Sequence, residues 1–521
     1  MLMLMLACGG DAAEQVFTGE IFTDAETATG AIAVTDGIVV AVGADAEAMV
    51  GDDTEAIALS GAAFPGFHDA HAHFLPGSFV MERLVMLGTG SMNSILSAVE
   101  DYAAEAPEEP WIIGFGWVNA LVDSPSGVAL DAVVSDRPVL LVDSSGHAAL
   151  INSVAMEAAG ITADTPDPIG GEIVRDPETG APTGLLLEEA LSLITPVTLA
   201  DYNDEQFLAP LREQLAALPA SGITSVSEIL ASPGLDLTWP WLYETLERSG
   251  ELPVRIHYYV PLFSTEDVES IAALAGVYDG DRVRFAGAKV WVDGSMGTAQ
   301  SWVSEPMEGT QDDYGSHYFT AEQLLDVVAR AEAVDLPLKF HANGDAAVAA
   351  VLDALEAAAP LGQPHVLDHA VLIDEADYTR ISALGLTVSV QPPHALVAAF
   401  GDSADAWGAE RFARAYDYTT LEDYDIDMAL GTDWPVWPTL HAANSLWSAV
   451  GVEHPMSLTA ALSAYTQGGA RAVGQDGVLG CLAVGCTADI TVLSASPWDV
   501  EASALSELTV EAVYLAGEVQ D

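Results

Sequence analysis

Lysine is almost missing from this chain: Lys289 and Lys339 are the only two in 521 residues. Basic residues number 15 against 78 acidic ones, for a formal charge of −63. A surface of that sign repels nucleic acid and anionic membranes, so neither is an expected partner. It suits a saline medium, where ions screen the self-repulsion. Cysteine is scarce too, with three residues, and no catalytic thiol is implied. Cys481 and Cys486 lie in Gly-Cys-Leu-Ala-Val-Gly-Cys. They read either as a pair formed in an oxidising compartment or, as we favour, as small residues filling turn positions. No run approaches the roughly 20 apolar residues of a membrane-spanning helix. Against these absences stand a hydrophobic content of 50% and a mean hydropathy of +0.29, which exclude a disordered chain. The length allows one large domain with accessories.

The opening Met-Leu-Met-Leu-Met-Leu-Ala-Cys8 resembles the tail of an export signal running into a lipobox-like cysteine. Its apolar part is short and lacks the positive residues that open such signals. The expectation is a periplasmic or membrane-anchored lipoprotein with a lipid anchor at Cys8; a cytoplasmic protein with a greasy N-terminus is the alternative. After residues 1–14, residues 15–62 alternate short β-rich runs with turns. Asp36-Gly37 between two alternating apolar runs predicts a hairpin. Residues 476–521 read the same way, and neither end has enough strands for a stable sheet alone. One small β-sandwich built from both termini is therefore predicted.

Residues 63–475 carry eight short β-rich runs: one ending at His73, then Gly222–Glu228, Val254–Val260, Val283–Val292, Leu336–His341, His365–His369, Leu386–Gln391 and Asp427–Asp433. Helix-forming stretches such as 321–334 and 346–359 separate most of them. Eight βα repeats predict an α/β fold, a (β/α)8 TIM barrel with its site at the C-terminal strand ends. The first gap is too long for one crossover helix, so an inserted subdomain of about 76–200 follows the first strand.

The segment Phe64-Pro-Gly-Phe-His-Asp-Ala-His-Ala-His-Phe74 is the most informative. Side chains two apart on a strand share a face, so His71 and His73 converge. Strand five then ends in His341, strand six in His369 and strand eight in Asp433, while strand four carries Lys289. Each histidine alone reads more simply as a core or loop residue. Together, at successive strand ends, they read as ligands for a borderline metal such as Zn2+.

These residues lie in motifs: the His71/His73 segment, Ser145-Gly-His-Ala-Ala-Leu-Ile-Asn-Ser153, and Gly170–Asp176 with Pro182–Glu188. Lys289-Val-Trp-Val-Asp-Gly-Ser-Met-Gly297, His341-Ala-Asn-Gly-Asp345, His365-Val-Leu-Asp-His-Ala370 and Gly431-Thr-Asp-Trp-Pro-Val436 complete the set. As a set they resemble the amidohydrolase superfamily, in its amidohydrolase 3 branch with N-substituted formamide deformylase-like enzymes. The resemblance covers nearly the whole chain. It implies that His71, His73 and Asp433 hold the more buried metal, and that His341 and His369 hold a second. It also implies a CO2-derived carbamate on Lys289 bridging the two; a free amine paired with Asp293 is the alternative. The implied reaction is hydrolysis of a non-peptide C–N bond in a small-molecule amide by metal-activated hydroxide, with Asp433 as general acid and base.

Of the remaining polar residues, His147 and His394 are candidate substrate contacts, and Trp434 with Trp437 candidate walls of an apolar pocket. Asp345 is read as orienting a ligand or capping the next helix, Asp69 as doing the same for the first histidine pair or starting a turn, and His68 as structural. Lys339 is read as a chance survivor. Rival readings are a hydrolase of cyclic amides or other esters, and a catalytically silent, surface-anchored binding protein on this scaffold. The oligomeric state is open, a homodimer among the options.

Overall fold

The computed structural model describes residues 12–230, 240–278, 280–398 and 406–520. Cys8 lies outside them. Eight parallel strands form the predicted barrel: Phe67–Ala72, Ile223–Ile229, Arg255–Leu262, Val283–Trp291, Leu338–Ala342, Val366–His369, Thr387–Val390 and Met428–Leu430. They neighbour one another in chain order. Strand eight returns to strand one through Asp433 N–H to His71 O at 2.7 Å and His73 N–H to Trp434 O at 2.8 Å. The close approach needs a glycine there, because a Cβ on Gly431 would sit 2.7 Å from His71 N. Strands one, two and seven are buried throughout, and strands three and four largely so, as expected of a parallel sheet covered by helices.

The helices follow local sequence rules. Thr320 and Gln323 make a reciprocal capping box at the start of helix Ala321–Ala333. Leu324, Val327, Val328 and Ala331 then recur at helical spacing and bury one stripe. The insert after strand one builds its own six-stranded sheet from strands between Leu84 and Glu188. Its core of Ile95, Trp117, Leu141 and Leu150 is separate from that of the barrel.

Strands from both termini share one seven-stranded sheet, which curls so that Val39 N–H reaches Cys486 O at 2.9 Å. Asp36 (φ 49°) and Gly37 (φ 72°) form its two-residue hairpin turn, both in the left-handed region that such turns require. Cys481 and Cys486 are joined as a disulfide, which corrects the reading of them as turn fillers. Their spacing of five residues closes a tight loop on itself in the segment leading into strand Ile490–Leu493. Among the described residues, no helix is long and apolar enough to cross a membrane.

Arg255 on strand three clamps this sheet to the barrel. Its Nε and Nη2 donate to the two carboxylate oxygens of Asp489 at 2.6 and 2.9 Å, and Nη1 donates to Asp281 O. Both side chains are largely buried, so removing one partner strands the other's charge. Arg255→Ala is expected to destabilise the protein by about 3 kcal/mol, read as a lowered denaturation midpoint in urea.

Candidate metal centre and active site

His71, at the end of strand one, and His73, just beyond it, point the same way. Their Nε2 atoms lie 3.2 Å apart, and both face Asp433 Oδ1, at 3.4 and 3.1 Å. The other ring nitrogens fix the tautomers. His73 Nδ1 donates to Ile229 O at 3.2 Å, and His71 Nδ1 faces Asp368 Oδ2 at 2.7 Å. Each Nε2 is thereby left with a lone pair.

Two lone pairs and a carboxylate oxygen without a hydrogen-bond partner thus crowd one point. Such a cluster repels itself unless a cation sits within it. Ligand atoms about 2.0–2.1 Å from a tetrahedral Zn2+ stand about 3.3 Å apart, and the three separations bracket that value. The donor set fits a divalent metal.

His369 lies beside this group. Its Nδ1 donates to Gln391 Oε1 at 2.8 Å, freeing Nε2, and its ring centroid is 4.8 Å from that of His71. Strand alternation would send Asp368 and His369 to opposite faces. His369 instead adopts φ 69° and Ala370 φ 45°, which turns the chain and lets both side chains face the barrel interior. Asp433, at φ 58°, uses the same device on strand eight. Backbone strain of this kind persists where surrounding contacts over-determine it.

His341 lines the same cavity, its ring centroid 4.4 Å from that of His369. Its Nε2 is engaged by Asn343 Nδ2 at 2.8 Å. Among the described residues it joins no cluster of three ligand atoms; His394 does, with His369 and Asp433. His394 Nε2 is 3.7 Å from Asp433 Oδ2. Burial lowers the pKa of both His341 and His394, so both stay neutral.

Lys289 is wholly buried on strand four, and its Nζ contacts Asp368. The alternative pairing with Asp293 is therefore corrected. Asp293 accepts instead from the backbone N–H groups of Trp302, Asn343 and Gly344 at 2.9–3.0 Å. Lys339 is equally buried. It donates to Ala70 O at 2.8 Å and Ser389 Oγ at 3.1 Å, and lies 3.5 Å from Asp368 Oδ1. The chain's two lysines thus converge on one carboxylate, so Lys339 is no chance survivor. Burial acts against the charge on Asp368, but His71, Lys289 and Lys339 hold its pKa well below the usual carboxylate range.

Sequence reading passed over Asp368, although it lies in His365-Val-Leu-Asp-His369. Its adjacency to a candidate ligand was a signal; strict alternation argued against it. Asp69 accepts from His71 N, Thr432 N and Thr432 Oγ1, tying strand one to strand eight. Asp345 accepts from Ser304 N and Oγ, so it anchors a loop and touches no ligand. His68 is held by Ser225 Oγ and Ser227 Oγ at 2.6 and 2.9 Å.

The insert supplies the roof. The turn between its strands Val139–Asp143 and Ala148–Ile151 is organised by Asp143, which accepts from Ser145 Oγ, His147 N and Ala148 N. That turn presents His147 to the cavity, where its Nδ1 donates to Glu188 Oε2 at 2.5 Å. Glu188, at φ 52°, also accepts from Ser295 N, Thr298 Oγ1 and Tyr318 Oη. It thereby pins the insert to the rim after strand four, a role that sequence reading missed. Trp434 does not line the cavity. Its ring is buried against Phe74 at 4.8 Å, under Gly77, and Pro435 and Val436 supply the wall.

The chain matches the Amidohydrolase family over residues 55–520. It is 30% identical to Protein LONG AFTER FAR-RED 3 of Arabidopsis thaliana, over 96% of this chain and 90% of that one. It is 26% identical to an N-substituted formamide deformylase of Arthrobacter pascens, over 94% of each. An uncharacterised metal-dependent hydrolase from Pyrococcus horikoshii shares the fold with a TM-score of 0.75 at 23% identity, over 94% of this chain and 99% of that one. The protein belongs to the amidohydrolase family, and the cluster at its barrel mouth is the candidate metal site.

Asp368→Asn removes the charge that orients His71. Metal affinity is expected to fall about 10–100-fold, measured by chelator competition. His147 gives a pH signature. Burial acts against its charge, but Glu188 outweighs it and raises the pKa from 6.5 to about 9. The stability contributed by this raised pKa is full below pH 6.5 and is lost as pH rises through about 9. Thermal unfolding of wild type and His147→Gln from about pH 6 to about pH 10 should show the difference between them shrinking over that interval.

Proposed function

We propose that this protein hydrolyses a non-peptide C–N bond in a small-molecule amide, with Asp433 carrying the proton. The observation that carries the reading is the convergence of His71 Nε2, His73 Nε2 and Asp433 Oδ1 at ligand spacing, inside a cavity of about 150 Å3 that Lys289, His341 and His369 also line. His71, His73 and Asp433 would hold one divalent metal, and His369, His341 and Lys289 would serve a second; such metals would supply Lewis acidity to activate water and polarise a carbonyl. We read the metal as Zn2+, from the nitrogen-rich donor set.

The chain's own residues do the rest. A neighbouring positive charge favours the ionised form of a carboxyl group, so Asp433 would stay a carboxylate at neutral pH with a metal bound beside it. It accepts a proton from the attacking water and returns it to the departing nitrogen. His147, charged by its contact with Glu188, faces the cavity from the insert, which supports a role in meeting a substrate oxygen. Burial lowers the pKa of Lys289 while Asp368 acts against the shift, so a CO2-derived carboxylate would form only once Lys289 gives up its proton and its ion pair with Asp368. The similarity to an N-substituted formamide deformylase supports an uncharged amide as substrate. The meeting of His71, His73 and Asp433 at ligand spacing argues against a silent binding protein.

The test is Asp433→Asn. With Zn2+ supplied at saturating concentration, so that the weaker grip of the amide is offset, turnover of simple formamides and acetamides should fall by about 1,000-fold, on the order of the loss of a general base. Chelation should abolish wild-type turnover, and added Zn2+ should restore it. Undiminished turnover by the Asp433→Asn protein would remove Asp433 from the chemistry.

A further inference from the structure

Beside the main cavity is a second, smaller chamber of about 60 Å3. Leu75, Phe79, Ile113, Leu140 and Phe207 line it, all largely buried. Pro76, Val80 and Val142 belong to the walls of both cavities, and all three are only partly buried. The partition is therefore hydrocarbon, contributed by the helix Phe74–Met81 that follows His73 and by a strand of the insert.

The chamber offers a ligand almost nothing polar. Its two hydroxyl-bearing residues, Thr195 and Thr198, donate to Leu191 O and Ile194 O at 2.9 and 3.0 Å. Water there would find few partners, and apolar cavities of this kind stay dry. At less than half the roughly 150 Å3 that holds a benzene ring, it admits a short alkyl group and excludes an aryl one. Among the described residues, no lysine or arginine lines it, and Lys289 is the only one lining the main cavity. A carboxylate-bearing arm has nothing there to neutralise it.

We propose that this chamber is a specificity subsite, and that the substrate is an amide bearing a short uncharged alkyl arm that passes between Pro76, Val80 and Val142 into it. This rests on the amide-hydrolase reading above. It adds the chemistry of the arm and the residues that measure its length. Helix Phe74–Met81 starts directly after His73, so filling the chamber also packs the element that carries a ligand.

The test is kcat/KM for the metal-loaded protein on two homologous series of amides, one lengthened by methylenes on the acyl side and one on the nitrogen side. One series should climb about fourfold per methylene, the worth of burying a CH2, over roughly two to four carbons and then level off. The same arm ending in a carboxylate should lose the gain. Leu140→Phe and Thr198→Leu, which add bulk at two lining positions on different elements, should each lower the long-to-short ratio by about tenfold or more, with metal content and circular dichroism as controls on folding. Flat series with rapid turnover of the short amides would overturn the subsite and leave the hydrolase reading standing. If no amide turned over, calorimetric binding of the same series to the metal-loaded Asp433→Asn protein would decide: a methylene slope supports the subsite, and its absence overturns it.

Discussion

A single buried carboxylate organises the interior of the barrel. Asp368 is withdrawn from solvent and receives Lys289, Lys339 and His71 within ion-pair distance. A lone carboxylate in such a place would be neutral, and two lone ammonium groups would be worse. Each charge is tolerable because the others are present. The arrangement fixes the tautomer of His71, which turns a lone pair towards Asp433. Gln391 links the same carboxylate to His369, donating to Asp368 at 3.3 Å while accepting from the imidazole. The ligand set thus rests on an electrostatic balance one layer below it.

The division of labour follows from that balance. The barrel supplies donors with lone pairs and negative charge, gathered by strand ends whose geometry is forced at His369 and Asp433. The insert supplies a positive group, His147, held by a carboxylate with four donors. Glu188 shares in this strain, with its own left-handed backbone, and its bonds join the insert turn at His147 to the connection after strand four at Ser295, Thr298 and Tyr318. Insert and barrel therefore enclose the site together, and the apolar chamber lies in the seam between them.

The distribution of the few positive charges fits the acidic surface. Both lysines lie inside. Outer arginines are met by carboxylates, as Arg380 is by Glu356, Asp353 and Asp377 and Arg330 by Glu269. Such exposed pairs contribute little individually, and they leave most acidic side chains facing water. A surface of that kind keeps the chain soluble through repulsion, and the fold is held by its apolar core.

The eight barrel strands, the first histidine pair and the hairpin at Asp36-Gly37 were legible in the chain because each depends on short-range rules: period-two alternation, β-rich runs between turns, and a dipeptide that accepts positive φ. Family motifs named Lys289, His341, His369 and Asp433 as well. What the chain alone could not disclose is which groups touch. Asp368 faces inward only because the backbone reverses handedness at the next residue. Lys289 meets Asp368 and not Asp293 because three backbone amides from other segments claim Asp293 first. Trp434 sits beneath a helix, away from the cavity, because Gly77 leaves room for it there. These outcomes were decided by tertiary structure, since each depends on competition among groups brought together by chain closure, and no local pattern records the competitor.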